Sequence, residues 1–498
     1  MPLKAFGIFN MKEDNVVFIG IDQGSSSTKA CVLDLQYELL YQKTIPVELN
    51  RLGLLHVEQS PEEILDSVRS LIQAAKNEAK HNKLQIAGMG LACQRSGVCA
   101  WDKATNSVLH NLISWADIRT KTFLDSIKDK HEFISNNTGL PVSPHYAAGK
   151  IALLQKEFNK DLHLVATLDS FLINQLSRDK LFITEDSMAS RSMLYSLNKL
   201  GWDKKLCDFF EVEIKRLPEI SGSFANDIFL DDIPLLAFMG DQQAALYSSY
   251  LHNEKAVLNL GSIASLSFYT HDTAVKKKGY ISGILHSNSE SKNKQYKYFI
   301  EATTNACGEV IAYICDTLKL AADISLIDEI CYESFKNQSS SKQIAFLPLG
   351  GTAAPDWRYD LPCVFTSDPL VNKADSVRAA IECIGNFILE NIINLTTDEN
   401  LIINKKQILV SGGVSNLDYL LQYISDCSGF ALLRVQNEQA TADGIALAEM
   451  QSKGFKKNFT SHKGKLFSPK GKRSHRFAKW KKIKQKVMLG ELKDLYVI

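Results

Sequence analysis

The sequence predicts an α/β protein of two related domains that face each other across a cleft. Three observations carry this. Apolar, β-branched runs alternate with stretches of helical spacing. Two strand–Gly/Ser–strand units, around Gly24 and Gly261, lie nearly half a chain apart, the mark of a duplication. And 498 residues are too many for one hydrophobic core. Composition narrows the class: 45% hydrophobic and 23% charged residues exclude a disordered or fibrous chain. A formal net charge of +1 supplies no global field to draw nucleic acid or an anionic membrane. No apolar run approaches the roughly 18 residues of a spanning helix.

Residues 1–15 are read as an N-terminal extension. Met1 to Asp14 lack the basic, apolar and small-residue blocks of a secretory signal. The 10 cysteines are scattered without a CxxC pair, so buried free thiols in a reducing cytoplasm are expected rather than zinc or disulfides. Val16 to Ile21 is apolar enough for a covered strand. Asp22-Gln-Gly-Ser-Ser-Ser-Thr-Lys29 follows, then apolar Ala30 to Leu33, which together read as a hairpin. Ser60 is placed to cap a helix over Pro61 to Lys76, with acidic residues in its first turn. Ile86 to Ala92 is a small-residue strand, and Ile233 to Met239 a strand that runs into Gly240-Asp241-Gln242-Gln243. Ala256 to Leu260, Gly261-Ser262 and Leu266 to Tyr269 form the second hairpin. Val377 to Leu395 has the spacing of a long helix. Gln407 to Val410 is a strand ending at Ser411-Gly412-Gly413, and Leu417 to Cys427 resumes helical spacing. The expected division is 16–253, 254–452 and a basic helical tail, 453–498.

That tail holds fourteen Lys and Arg and no acid between Lys453 and Lys486. A nucleic-acid or membrane patch is one reading. The other, preferred here, is a helix that docks Phe477 and Trp480 on the body while its lysines face water.

Two places have the residue types for phosphate chemistry. The tip Asp22 to Lys29 offers hydroxyls and N–H groups that can cradle phosphate oxygens, a cation in Lys29 and a carboxylate in Asp22 able to hold Mg²⁺. It is no Walker loop, since G-x-x-x-x-G-K-[ST] is absent, and a plain polar hairpin tip fits the same residues. Asp241, between an apolar strand and a small-residue helix, can accept the proton of a hydroxyl attacking a γ-phosphate. It can equally serve as an N-cap.

Asp22-Gln-Gly-Ser-Ser-Ser-Thr-Lys29, Gly240-Asp-Gln-Gln-Ala-Ala-Leu246, Gly261-Ser262 and Gly412-Gly413 together resemble the FGGY carbohydrate kinases, and within them most closely the glycerol kinases. Cys93-Gln-Arg-Ser96, Ile113 to Thr120, Thr138 to Val142, Ala189-Ser-Arg-Ser-Met-Leu194 and Gly351 to Trp357 fit the same order, so the resemblance spans nearly the whole chain. It implies two actin-like, ribonuclease H-like domains (the ASKHA superfamily) flanking a cleft, the first on the substrate side and the second on the nucleotide side. It further implies ATP-dependent phosphorylation of a small polyol or sugar with Mg²⁺, no nucleic-acid partner, and a homo-oligomer. By resemblance Asp241 is the general base and Asp22 organises Mg²⁺. Gly24, Ser25, Ser26 and Lys29, with Gly261 and Ser262, hold phosphates. Gly412 and Gly413 let the nucleotide lie against backbone, and Asn416 or Asp418 meets the adenosine.

Arg95, Trp115, Asp241 and Gln242 fall where glycerol kinases place acceptor contacts, but Ser96, His145 and Ser265 replace a Glu, a Tyr and a Phe, and Lys29 replaces an Arg. A polyol hydroxyl deprived of its acceptor costs about 1–3 kcal/mol, up to roughly a hundredfold in affinity. The altered pocket therefore points to a longer polyol or a ketose. A xylulokinase-like specificity and a catalytically inactive nucleotide sensor are the competing readings.

Overall fold

Strand-forming residues on either side of the first Gly/Ser tip pair as expected. Val16–Gln23 (β1) and Ser27–Asp34 (β2) run antiparallel with Asp22 opposite Lys29, and Leu39–Pro46 (β3) extends the meander. The structure is a computed structural model that describes residues 15–497 except 54, 226, 252–255, 289–293, 338–342, 399–400, 402–406, 436–439, 455–463 and 472–473. The extension read over residues 1–15 lies outside these apart from Asn15.

Ser60 caps Pro61–His81 (α1), its hydroxyl accepting from the Glu63 N–H. The helix runs past the expected end at Lys76 because good helix formers follow and the buried stripe continues through Ala79. Gln85–Cys93 (β4) lies parallel to β1, and Ile233–Gly240 (β5) parallel to β4. The sheet order is β3-β2-β1-β4-β5, with Phe229–Leu230 at its edge. A second sheet is built between residues 50 and 167, and the helix Ala147–Glu157 (α2) follows the turn that holds His145.

The second half repeats the plan. Ala256–Leu260 (β6), Ala264–His271 (β7), Ile281–Asn288 (β8), Gln295–Thr304 (β9), Gln407–Ser411 (β10), Ala431–Val435 (β11) and Gly464–Phe467 (β12) form a sheet ordered β8-β9-β7-β6-β10-β11-β12. Within it, β9-β7-β6-β10-β11 has the order and strand directions of β3-β2-β1-β4-β5. The duplication announced by two short hairpins is therefore one of whole sheets. Asp241–Leu251 (α3) and Ala440–Ser452 (α7) pack on each other between the halves. Their approach demands a glycine: a Cβ on Gly444 would sit 1.8 Å from the Ala244 carbonyl oxygen.

Gly308–Leu318 (α4), Lys373–Thr396 (α5) and Asp418–Ser428 (α6) complete the second core. The tail forms Ser474–Met488 (α8), whose Trp480 is fully buried against Phe346 and Phe387. Arg476 pairs with buried Glu382, and Lys484 bridges Asp356 (2.5 Å) and Glu390 (2.6 Å). Lys479, Lys481 and Lys482 face solvent, so α8 is the docked helix expected, but the tail is not wholly helical: its residues Gly464–Phe467 are β12, paired antiparallel with β11. All ten cysteines are free and eight are buried. Among the described residues no helix is long and apolar enough to cross a membrane.

Candidate active site

Three parallel strands end side by side. Asp22 is level with Ala92, and Gly240 with Cys93, so Asp22, the Gln94-Arg95-Ser96 segment and Asp241 emerge together at the carboxyl ends of β1, β4 and β5. In open α/β sheets this is where ligands bind. Burial, and then the charge of Asp241, push the Asp22 carboxyl up to about 7, with Lys29 pulling the other way. Burial also raises Asp241 above the usual carboxylate range, opposed by Arg95 and by the Gln242 N–H. That N–H donates to Asp241 Oδ1 at 2.7 Å, so Asp241 is a helix-start residue and a cleft carboxylate at once. Arg95 Nε lies 3.4 Å from Asp241 Oδ1, and its guanidinium donates to Gln243 Oε1 (3.2 Å) and to Gln242.

The region where acceptor contacts are expected is walled by rings. The Trp115 and His145 centroids are 5.1 Å apart, and the Arg191 guanidinium lies 5.3 Å over the Tyr146 ring. Burial and then the neighbouring cations Lys150, Arg191 and Arg95 hold His145 well below its ordinary value, so its ring is neutral. Ser96 adopts a left-handed φ of 66°, and its hydroxyl meets the Arg191 carbonyl at 3.4 Å. Ser265 lies on β7, opposite Asn259 and Thr303.

Two residues given no role from the sequence complete this side. Arg191 is 3% exposed and Glu301, from β9, is 1% exposed. Glu301 Oε2 lies 3.9 Å from Arg191 and 4.0 Å from Arg95, too far to hydrogen-bond. Glu301 Oε2 and Arg191 Nε and Nη1 are buried without a hydrogen-bond partner. The sequence signal for Glu301 was a lone carboxylate inside the apolar run Tyr298 to Ala302.

The hairpin tips are tight turns, Gly24 N–H to Ser27 carbonyl (2.9 Å) and Gly261 N–H to Ile263 carbonyl (3.1 Å). Ser25 differs from expectation in one respect. Its hydroxyl accepts from the Trp115 indole (2.7 Å) and donates to Gln94 (3.2 Å), so the side chain is spent inside the protein and only its backbone N–H is left to offer. Beneath it Gln94 bonds Gln23 and Gln59, and Gln59 bonds the Ser25 carbonyl, a buried amide network that fixes the tip. Ser26 and Ser262 are exposed. The N–H of Gly308, which opens α4, donates to the carbonyls of Gly261 and Ser262, so the positive end of that helix dipole abuts the second tip.

Gly412, Gly413 and Asn416 line an open cavity of about 1000 Å³, with Asn259 and Ser411 from the second sheet and Ala245 and Ser248 from α3. Its lining stops short of Asp22 and Asp241. Asp418 is held by Arg434 (2.8 Å) and Lys465, which leaves Asn416 as the cavity-facing member of that pair. The glycines have different reasons. Gly413 has open space around a built Cβ, whereas Gly412 (φ 94°) would drive one to 2.4 Å from the Leu260 carbonyl. Its glycine is demanded by the strand beside it. Among the described residues no group of three or more His, Cys, Asp or Glu could hold a metal ion.

The family model for the N-terminal domain of the FGGY family of carbohydrate kinases matches residues 17–246, and that for its C-terminal domain residues 267–452. The chain belongs to the FGGY family of carbohydrate kinases. It is a phosphotransferase with an alcohol group as acceptor. Among relatives, the glycerol kinase of Mycoplasma pneumoniae is 27% identical over 453 residues, 86% of this chain and 87% of that one. The glycerol kinase of Enterococcus casseliflavus is 27% identical over 484 residues, 92% and 94% of the two chains. Plasmodium falciparum glycerol kinase, solved with ADP, superposes with a TM-score of 0.86 at 22% identity over 95% of this chain and 98% of that one. Xylulose kinase from Lactobacillus acidophilus gives 0.77 at 19% identity over 95% and 98%. The two-domain actin-like fold is common to these FGGY structures and to this chain.

Proposed function

We propose that this FGGY kinase transfers the γ-phosphoryl group of ATP to a hydroxyl of a small polyol or sugar in the cytoplasm, with an acceptor preference shifted from glycerol toward a longer polyol or a ketose. The convergence of Asp22, Arg95 and Asp241 at three adjacent strand ends carries the reading. Asp241 takes the acceptor proton as the oxygen attacks, and its raised affinity for protons brings it nearer the working pH of a general base. Arg95, 3.4 Å away, keeps it oriented and ionisable. The hairpin tips with Lys29, Ser26 and Ser262 cradle phosphate oxygens, and Gly413 and Asn416 border the nucleoside.

Mg²⁺ fits the residues present. Asp22 is a half-buried carboxylate crowded by a second one, the surroundings a cation relieves, and one or two carboxylates are what Mg²⁺ takes from a protein when phosphates and water supply the rest. When bound, the ion neutralises charge developing on the phosphates. Asp22 would hold it.

The shift in acceptor is supported by Ser96, too short to span two hydroxyls, and by the polar atoms of Arg191 and Glu301 that have no hydrogen-bond partner in the protein. A ketose kinase reading is favoured by the same atoms, since a five-carbon chain reaches farther than glycerol. Coupled ADP assays against glycerol, erythritol, xylulose, ribulose and sedoheptulose test both. Exclusive, efficient glycerol turnover defeats the shifted preference, and ATP binding with no turnover of any acceptor defeats the kinase reading in favour of a sensor.

A further inference from the structure

Lys150 has no part in the chemistry above, yet its placement is costly. It is fully buried, and it sits in the first turn of α2, where the helix dipole disfavours a cation. Burial lowers its ammonium to about 7, with Asp117 opposing. Its Nζ donates to two backbone carbonyls and to no side chain: that of His145 at 2.9 Å and that of Ser96 at 3.2 Å.

Those two residues come from different segments and are both acceptor-pocket residues that depart from the glycerol kinase pattern. Ser96 also holds a left-handed backbone that costs a side-chain-bearing residue energy unless its surroundings enforce it. Lys150 enforces it from one side while fixing the ring-bearing His145 from the other. Its hydrogen bonds do not extend to the first phosphate tip, which is held by the Gln23–Gln59–Gln94 network, or to the second, which meets the Gly308 N–H.

We propose that Lys150 is the positioning residue of the acceptor pocket, clamping Ser96 and His145 at the spacing that selects the acceptor, independently of nucleotide binding. This rests on the phosphotransfer reading above. A buried lysine that only filled space would be replaceable by methionine. One that positions the pocket would not be, because two carbonyls lose their donor and Ser96 its restraint.

The test uses the full-length wild type, Lys150→Met, which removes both donors at similar volume, and Lys150→Gln, whose amide keeps two N–H groups. Each is measured for acceptor KM and kcat with whichever of glycerol, erythritol, xylulose, ribulose and sedoheptulose the wild type turns over, for ADP affinity by calorimetry, and for thermal unfolding. Expected for Lys150→Met are an acceptor KM raised about ten- to a hundredfold, kcat changed severalfold at most and ADP affinity within about twofold, with Lys150→Gln in between. An unchanged acceptor KM in folded Lys150→Met overturns the inference. So does ADP affinity weakened as much as acceptor KM, or failure of both variants to fold, since Lys150 would then serve the fold at large. A wild type that phosphorylates none of these five compounds instead removes the functional reading beneath it.

Discussion

Gly412 and Gly413 stand next to each other where the second sheet meets the cavity, and the structure gives them opposite tasks. Gly412 has φ 94° and ψ 158°, a region essentially confined to glycine, so an alanine there costs about 1–3 kcal/mol in backbone strain. Its Cβ would also lie 2.4 Å from the Leu260 carbonyl oxygen and 2.6 Å from Asn259 Oδ1, and overpacking adds about 1–3 kcal/mol. Gly412→Ala should therefore lose about 2–6 kcal/mol with no nucleotide present, a fall in Tm of about 5–20 °C for a domain of this size. Gly413→Ala meets nothing within 4 Å, so its stability should stay within about 0.5 kcal/mol of wild type. Because its methyl enters the space assigned to the nucleoside, its ADP affinity should fall about tenfold or more. Differential scanning calorimetry of the nucleotide-free proteins and titration with ADP separate the two. A Gly412→Ala protein that melts with wild type refutes the packing argument. Undiminished ADP binding by Gly413→Ala refutes the placement of the nucleotide.

Asp241→Asn keeps the shape and removes the base, so kcat should drop about 10²–10⁴-fold with ADP affinity held within about twofold; turnover near wild type in a coupled assay would show that another group takes the proton. Arg476→Met strands Glu382, only 2% exposed, without its main cation and should cost about 3 kcal/mol, seen as a lower urea midpoint; an unshifted midpoint would mean this ion pair contributes nothing to the fold. For Asp22, the folded carboxyl stays protonated up to about 7 while the unfolded one ionises near 3.8, so stability without Mg²⁺ falls as pH rises between those values. Asp22→Asn should flatten that decline in denaturant titrations, and an identical slope in both proteins would contradict the burial of this carboxylate.

Elements whose residues speak locally were legible in the sequence. The two hairpins follow from β-branched runs broken by Gly and Ser, and α5 from an apolar period that neighbours do not override. The apolar spacing alone predicts α1 only to Lys76, whereas its buried stripe is completed by Ala79, one turn farther on. In the site, Asp22, Asp241 and the glycines were marked by position at strand ends. What stayed hidden depends on partners far away in sequence. Ser25 looked like a free hydroxyl until Gln94 and Trp115, 69 and 90 residues on, were seen to claim it. Arg191 sits in a stretch that resembles the family without revealing what it touches, and no residue around Lys150 in the sequence marks its partners. Their roles exist only once the chain has brought four segments together.

Glu301 comes from the second half of the chain, while the arginines on either side of it come from the first. On the proposed reading, acceptor choice is thus not a property that one half can carry to a new protein. A chimera joining either half of this kinase to the complementary half of a relative would bring together guanidinium and carboxylate groups that were never matched. Divergence of acceptor preference along this lineage would accordingly require paired changes on both sides of the cleft.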